Sequence, residues 1–437
     1  DELEELLAEH RTIQGQIRGS LDPKTAALTP SQITLKELQS LLDSNTCLVE
    51  FAPTNENCLV WVIDHSSVHF FEIKGINRAT LSRMVTQIYQ QVSQTGQNRG
   101  LYHPSGGGVE PVLTKPALTL SQKLFKPLAP FFKPSMLFVP GDSLFALPLA
   151  VLPDPSTRKR QYLIQNRKIG VLPSATLLKY FQKTPFHTEE IRQITVFADP
   201  MYSVTDPRFK PGIPASSETS SNHKSRLLVR EDVALGKSSG PSTRLEIPRL
   251  PWTQLEAEKI KELAGSAIRL KLGVEASVAE VKRTPLNSVQ ILHFAAHGMP
   301  DPAYPDLSAL VLALVDSEGN PVDGFLRSAE ISDLTLSSGL VVLSACQTGI
   351  GKEVRGEGLL SLTRSFLIAG AQRVVYTLWP VNDQATAQFM ERFYFHLLVE
   401  KQDPGEALRQ AQLDLAQSRQ WHDPFYWAAF QLQGSPF

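Results

Sequence analysis

Short apolar runs closed by polar or glycine turns alternate along this chain with stretches whose apolar residues recur every three to four positions. Residues 1–20 carry Leu3, Leu6, Leu7 and Ile13 at helical spacing, which predicts a helix. The segment TLKELQSLL predicts a second, with Thr34 as its N-cap. From Thr46 the period shortens. TCLVEFAP, CLVWVID and VHFFEI are rich in β-branched and aromatic residues and are separated by Asn, Asp and Ser turns, as in a β-meander. Helices follow at about 79–95 and about 119–132, then a buried strand at SMLFVPG and a strand leading into a helix at IGVLPSATLL.

QITVFADP is the next buried strand, and a stretch over residues 202–246 interrupts the pattern. Its Ser, Pro and Gly density and few apolar positions predict a long flexible loop. Beyond it, WTQLEAEKIKELAG reads as an amphipathic helix with Thr253 as cap and Gly265 as stop. Strands are then expected at AIRLKL, VQILHFAAHG, ALVLALVD, GLVVLSACQTG and RVVYTLWPV. Helices are expected at SVAEVKRT, RSAEISDL, GEGLLSLTRSFLIAG (closed by Gly370), 383–400 and 405–418. Strands alternating with helices predict an α/β sheet covered on both faces.

Composition narrows the function. The net charge is −1, from 43 basic and 44 acidic residues, so there is no electrostatic case for nucleic acid or an anionic membrane surface. No apolar run has the length of a membrane span. The three cysteines, Cys47, Cys58 and Cys346, have neither metal-ligand spacing nor an even disulfide set, which predicts a reducing, cytoplasmic setting. The chain begins DELEELLAEH without an initiator Met and reads as a fragment or a processed form.

The chemistry gathers where two apolar runs end. His297 closes ILHFAAHG and Cys346 closes LVVLSACQTG, each before a small-residue turn. On neighbouring strands the two side chains would face one crevice, where an imidazole can take a thiol proton. Gly298 lacks a Cβ, so its backbone can approach a substrate and its N–H can point at an oxyanion. His293 lies on the same face by strand period and is read as a packing or hydrogen-bonding residue. A zinc site at HFAAH is disfavoured, since Phe294 stands where the general base would be. No G-x-S-x-G elbow is present. Neither a metal nor a cofactor is expected.

ILHFAAHG, VVLSACQTGIGKEVRGEGLLSLTRSFLIAGAQRVVYTLWPVND, DPFYWAAFQLQG and the segment from MLFVPGDSLFALPLAVL to YLIQNRKIGVLPSATLL resemble the CHAT family. These are caspase-like proteins commonly attached to TPR helical repeats. The likeness covers about residues 46–437 and implies a three-layer caspase-like sandwich with a central, mostly parallel sheet. It also implies a cysteine endopeptidase, with His297 as the catalytic histidine, Cys346 as the nucleophile, and the N–H groups of Gly298 and Cys346 as the oxyanion hole. LWPVND resembles the separase strand and turn. Separases cleave after arginine using an acidic S1 residue, so Asp383 is the expected S1 carboxylate. Asp199 and Glu357 are the further candidates; a helix cap is the competing role for Asp383, and a first-turn helix acid is the competing and favoured role for Glu357. Trp379 and Trp427 are expected in the core.

The expected organisation is a helical segment at 1–45 that ends a longer repeat region, a non-catalytic caspase-like subdomain at 46–186, and the peptidase domain at 187–437. A protein substrate is expected, together with a regulatory partner held by the preceding helical repeats. The loop at 202–246 carries seven lysines and arginines, from Arg208 to Arg244, and is a candidate gate and self-cleavage segment. GIGKEVRGEG, with Lys352 and Arg355, competes for the gating role. The alternative function is a partner-binding scaffold without peptidase activity.

Overall fold

The computed structural model describes residues 33–98, 114–158, 160–181, 186–209, 247–301, 305–344 and 357–435. The predicted helix at 1–20 lies outside them, as do Cys346, Lys352, Arg355 and most of the 202–246 loop. Thr34 caps the short helix Leu35–Ser40 in a reciprocal capping box with Glu37, as its hydroxyl and the following acid predict.

The meander forms β1 (Thr46–Pro53), β2 (Asn57–Asp64) and β3 (Val68–Lys74), followed by β4 (Ser135–Val139) and β5 (Lys168–Val171). Next come β6 (Ile194–Pro200), β7 (Ile268–Gly273) and β8 (Ile291–Ala295), then β9 (His297–Met299), β10 (Ala309–Val311) and β11 (Phe325–Arg327). The last three are β12 (Leu340–Leu343), β13 (Arg373–Thr377) and β14 (Phe430–Gly434). One 11-stranded sheet runs β3-β2-β1-β4-β5-β14-β13-β12-β8-β6-β7, and β11-β10-β9 form a separate small sheet. The large sheet is parallel except at β1/β2, β2/β3 and β13/β14. Strands buried on both faces need continuous apolar runs. β4, β8, β12 and β13 supply them, each buried along its whole length.

The main helices are α1 (Arg78–Asn98), α2 (Trp252–Ala264), α3 (Glu357–Ile368), α4 (Asp383–Tyr394) and α5 (Pro404–Gln417). α2 connects β6 to β7, which lies outward toward one edge. α3 connects β12 to β13, which lies the opposite way. Right-handed crossovers in opposite directions put their helices on opposite faces, so the fold is the expected three-layer α/β arrangement, with a mostly parallel sheet between helical layers. Gly265 and Gly370 end α2 and α3 with φ of 59° and 114°, the left-handed backbone that favours glycine.

Several local expectations are corrected. The helix expected at 119–132 is broken into Lys115–Leu120, a π-helical turn at Ser121–Phe125 and a 3-10 turn at Ala129–Phe131. Pro127 and Pro130 lack the N–H groups a continuous helix needs. Thr253 does not cap α2. It is buried in the first turn, donating to Leu250 O at 2.7 Å and accepting from Asp199 N at 3.1 Å. VQILHFAAHG is two strands rather than one, broken at Ala296. Trp379 and Trp427 are fully buried, and their indole N–H groups donate to Phe425 O and His422 O. They pack the core.

Candidate active site

From β6 the chain steps outward to β7, then returns across β6 to β8 and runs on through β12 to β13. The direction of winding therefore reverses between β6 and β8. In open α/β sheets the crevice at the carboxyl ends of such a strand pair is where ligands bind. Asp199 lies at the end of β6, and His297 lies two residues beyond β8.

His297 opens β9, which leaves the large sheet to pair with β10, placing His297 opposite Val311 and Gly298 opposite Leu310. The imidazole is 5% exposed. Its Nε2 lies 2.7 Å from Pro248 O. A carbonyl only accepts, so Nε2 carries the hydrogen and Nδ1 is left as the basic nitrogen. Nδ1 has no hydrogen-bond partner among the described residues. Burial holds the His297 pKa below its ordinary 6.5, against a smaller upward pull from the Pro248 carbonyl. The ring is therefore neutral at pH 7 and able to accept a proton. Tyr202 packs on it at 5.6 Å between ring centroids and 46°, and the Tyr202 hydroxyl donates to Val311 O at 3.3 Å.

β12 runs parallel to β8 in register, Val342 beside His293 and Leu343 beside Phe294. Ser344 N–H donates to Phe294 O at 3.1 Å. Ser344, the last described residue before Cys346, thus lies beside the end of β8, and Cys346 itself lies outside the described residues. Cys47 and Cys58 are far less suited to nucleophilic work. Both are buried, and desolvation pushes both thiols up to about 11.

The acidic candidates differ sharply. Asp199 is 1% exposed, with φ of 48°. Arg249 grips its carboxylate at both oxygens, Nε to Oδ1 at 2.9 Å and Nη2 to Oδ2 at 2.8 Å, and Arg208 Nη1 reaches Oδ2 at 2.5 Å. That carboxylate is occupied by the protein's own cations. Asp383 has one oxygen committed and one free. Oδ2 accepts the first helical N–H of α2, from Trp252, at 3.0 Å, while Oδ1 is buried with no hydrogen bond. Desolvation raises its pKa from 3.8 to about 6, partly offset by the Trp252 N–H and reinforced by the nearby Glu256 and Asp199 charges. Asp383 does not cap its own helix, because Asn382 does that, accepting from Ala385 N. Both Asp199 and Asp383 also act electrostatically on the Tyr202 phenol, which burial pushes up. Tyr202 thus lies near His297, Asp199 and Asp383. Glu357 opens α3, and its carboxyl group lies outside the described residues.

Residues 114–435, well over half the sequence, match the CHAT domain. The chain belongs to the CHAT family. It is 32% identical over 224 residues to Tetratricopeptide repeat protein 28 of Mus musculus, covering 43% of this chain and 9% of the mouse protein. The Homo sapiens protein of the same name is 31% identical over 223 residues, covering 43% of this chain and 8% of its own length. The CHAT chain therefore spans less than a tenth of these relatives. Among solved structures, Saccharomyces cerevisiae separase in its complex with securin superposes with a TM-score of 0.50 at 12% identity, over 97% of this chain and 31% of that one. At that identity the likeness is one of fold.

Beneath the CHAT crevice, His293 is buried with three neighbours. Nδ1 meets Tyr394 Oη at 3.0 Å, Nε2 meets Ser344 Oγ at 3.2 Å, and Glu256 Oε1 lies 2.7 Å from Nε2. Neither Glu256 oxygen completes a hydrogen bond of good geometry among the described residues. His293 is thus the packing residue its sequence position suggests. The break at Ala296 puts it on a different strand from His297. Pattern reading missed Tyr202, Pro248, Arg249 and Glu256. Tyr202 and Arg249 adjoin the low-complexity stretch, where periodicity carries no signal. Glu256 has the i+3 spacing from Thr253 that marks the buried face of α2, and its charge masks that spacing.

Proposed function

We propose that this CHAT chain is a cysteine endopeptidase that cuts a protein partner after arginine, and less readily after lysine. The observation that carries the reading is the state of His297. Its Nε2–H is fixed on a backbone carbonyl, and its neutral Nδ1 has no hydrogen-bond partner among the described residues, so it is free to serve as a base. Nδ1 takes the Cys346 thiol proton, and the thiolate sulfur attacks the scissile carbonyl carbon. The N–H groups of Gly298 and Cys346 stabilise the oxyanion. Collapse breaks the C–N bond, and the imidazolium returns its proton to the leaving amine. Water, activated by the same nitrogen, then hydrolyses the thioester and restores the thiol.

Asp383 is the P1 partner in this reading, because one carboxylate oxygen is buried and unbonded. A guanidinium would meet it by a charge-assisted hydrogen bond. The curated relatives are named for tetratricopeptide repeats, which supports a regulatory partner bound through helical repeats ahead of this domain. Fluorogenic peptides that differ only at P1 test the assignment. The wild type cleaves Arg fastest, and Cys346→Ala and His297→Ala each lose nearly all turnover, as members of one catalytic unit do. Substantial cleavage by Cys346→Ala, or faster cleavage after Asp or Leu than after Arg, refutes it.

A further inference from the structure

We infer that Asp199 and Arg249 are positioning residues for His297: together they hold the Pro248 carbonyl that fixes its tautomer and ring orientation. The inference rests on the reading of His297 as the base. It removes Asp199 from the substrate pocket and gives it a different task.

Pro248 is joined to Arg249 by one peptide bond, and it is the Pro248 carbonyl that receives His297 Nε2–H. That peptide has no strand or helix to hold it, since it lies in the irregular segment before α2. Two independent ties fix it instead, and both end on Asp199. The first is the two-point grip of Arg249 on the carboxylate, a geometry that sets direction as well as distance. The second is Asp199 N–H donating to Thr253 Oγ1, whose hydroxyl donates in turn to Leu250 O. Residues 248–253 are thus anchored to the end of β6 from the side chain and from the backbone.

Asp199 also sets the other wall of the base. Tyr202, three residues on, packs against the imidazole and reaches Val311, the residue paired with His297 in the small sheet. The left-handed backbone at Asp199 turns the chain so that the carboxylate faces Arg249 while the next residues run toward His297. An aspartate tolerates this conformation better than most side chains, and strained backbone of this kind concentrates at functional sites.

The test is Arg249→Met, which keeps the length of the side chain and leaves Arg208 on the buried carboxylate, so the fold is not asked to bury a bare charge. Two measurements separate this inference from the peptidase reading. Nitrogen-15 NMR of ring-labelled histidine reports the tautomer of His297 whether or not the protein cleaves anything. The wild type should show the Nε2–H form, and Arg249→Met a mixture. If the protein is a peptidase, kcat on the preferred peptide falls by about tenfold or more with KM within about twofold, as expected for a displaced base. Arg249→Lys, which restores charge without the fork, recovers part of the loss. Arg208→Met, which removes the other cation but leaves the 248–249 peptide gripped, shifts the tautomer less. A wild-type tautomer in a folded Arg249→Met protein overturns the inference, as does an equal shift from Arg208→Met, which would make the carboxylate's charge the cause rather than the placement of Pro248. Absent peptidase activity with the tautomer shift intact would sink the peptidase reading alone.

Discussion

Asp383→Asn should move stability and activity in opposite directions. The folded protein holds this carboxyl at about 6 instead of 3.8, chiefly through desolvation. By linkage that difference costs the folded state up to about 3 kcal/mol when the group is ionised. Asp383 is only half-buried, so water screens part of the cost, and about 1–2 kcal/mol is the working figure. The folded value is raised, so the cost is absent below about pH 3.8, grows as pH rises, and is complete above about pH 6. Asparagine removes the charge and keeps an oxygen to accept the Trp252 N–H. At pH 8 the variant should therefore melt higher than wild type by a few degrees at most, and the gain should vanish by about pH 4. Turnover of an Arg peptide should fall at least about a hundredfold, the scale of removing one partner of a buried charge pair. Thermal melts across pH and peptide kinetics on one preparation read both effects. A variant that melts lower at pH 8 would show that Asp383 exists to cap α2, and unchanged Arg turnover would remove it from the specificity pocket.

Three further outcomes follow from the same geometry. Wild-type cleavage of an Arg peptide should decline as pH falls through about 6, where Asp383 takes a proton, and should fall further at lower pH as His297, held below its ordinary 6.5, titrates; a flat profile between pH 7 and 5 contradicts the Asp383 assignment. Iodoacetamide should label Cys346 much faster than Cys47 and Cys58, whose thiols are buried and raised to about 11, and His297→Ala should slow that labelling; three equal rates under native conditions would argue for the scaffold alternative. His293→Phe should destabilise by about 1–3 kcal/mol in urea melts, because it leaves the buried Glu256 carboxyl without its neighbouring imidazole, and adding Glu256→Gln should recover most of the loss; a single-variant cost near zero would mean that the contact does not hold the core together.

Much of the architecture was legible because it rests on local signals. Thr34, Gly265 and Gly370 mark helix ends by side-chain chemistry and backbone freedom. The apolar runs of β4, β8, β12 and β13 read as strands because both faces are covered. His297 was legible as a candidate site residue through its place at the end of such a run. What escaped depends on distant partners. The break at Ala296 exists because β9 finds β10 and β11 instead of continuing beside β12, and no local residue announces that exchange. Thr253 looks like a cap, yet tertiary contact with Asp199 takes its hydroxyl. Asp199 looked like an acidic pocket residue because Arg249 is 50 positions away, across a segment whose composition conceals which of its cations turn inward.

The place of β6 in the sheet has a consequence for how the polypeptide could be divided. β6 precedes residues 210–246 in the chain, while both its sheet neighbours, β8 and β7, follow them. Likewise β14, near the carboxyl terminus, lies against β5. A backbone cut anywhere within residues 210–246 would yield two pieces that are woven through each other rather than abutted. The first piece would hold β1 to β6 and the second β7 to β14, with a strand of the first clasped between two strands of the second. Neither could depart without breaking three parallel ladders, β6/β7, β6/β8 and β5/β14, and opening the shared core, so a nicked molecule would travel as one particle until denatured. Asp199 and Arg249 would stand on different pieces, and His297 would then depend on a contact between two polypeptides where it now depends on one.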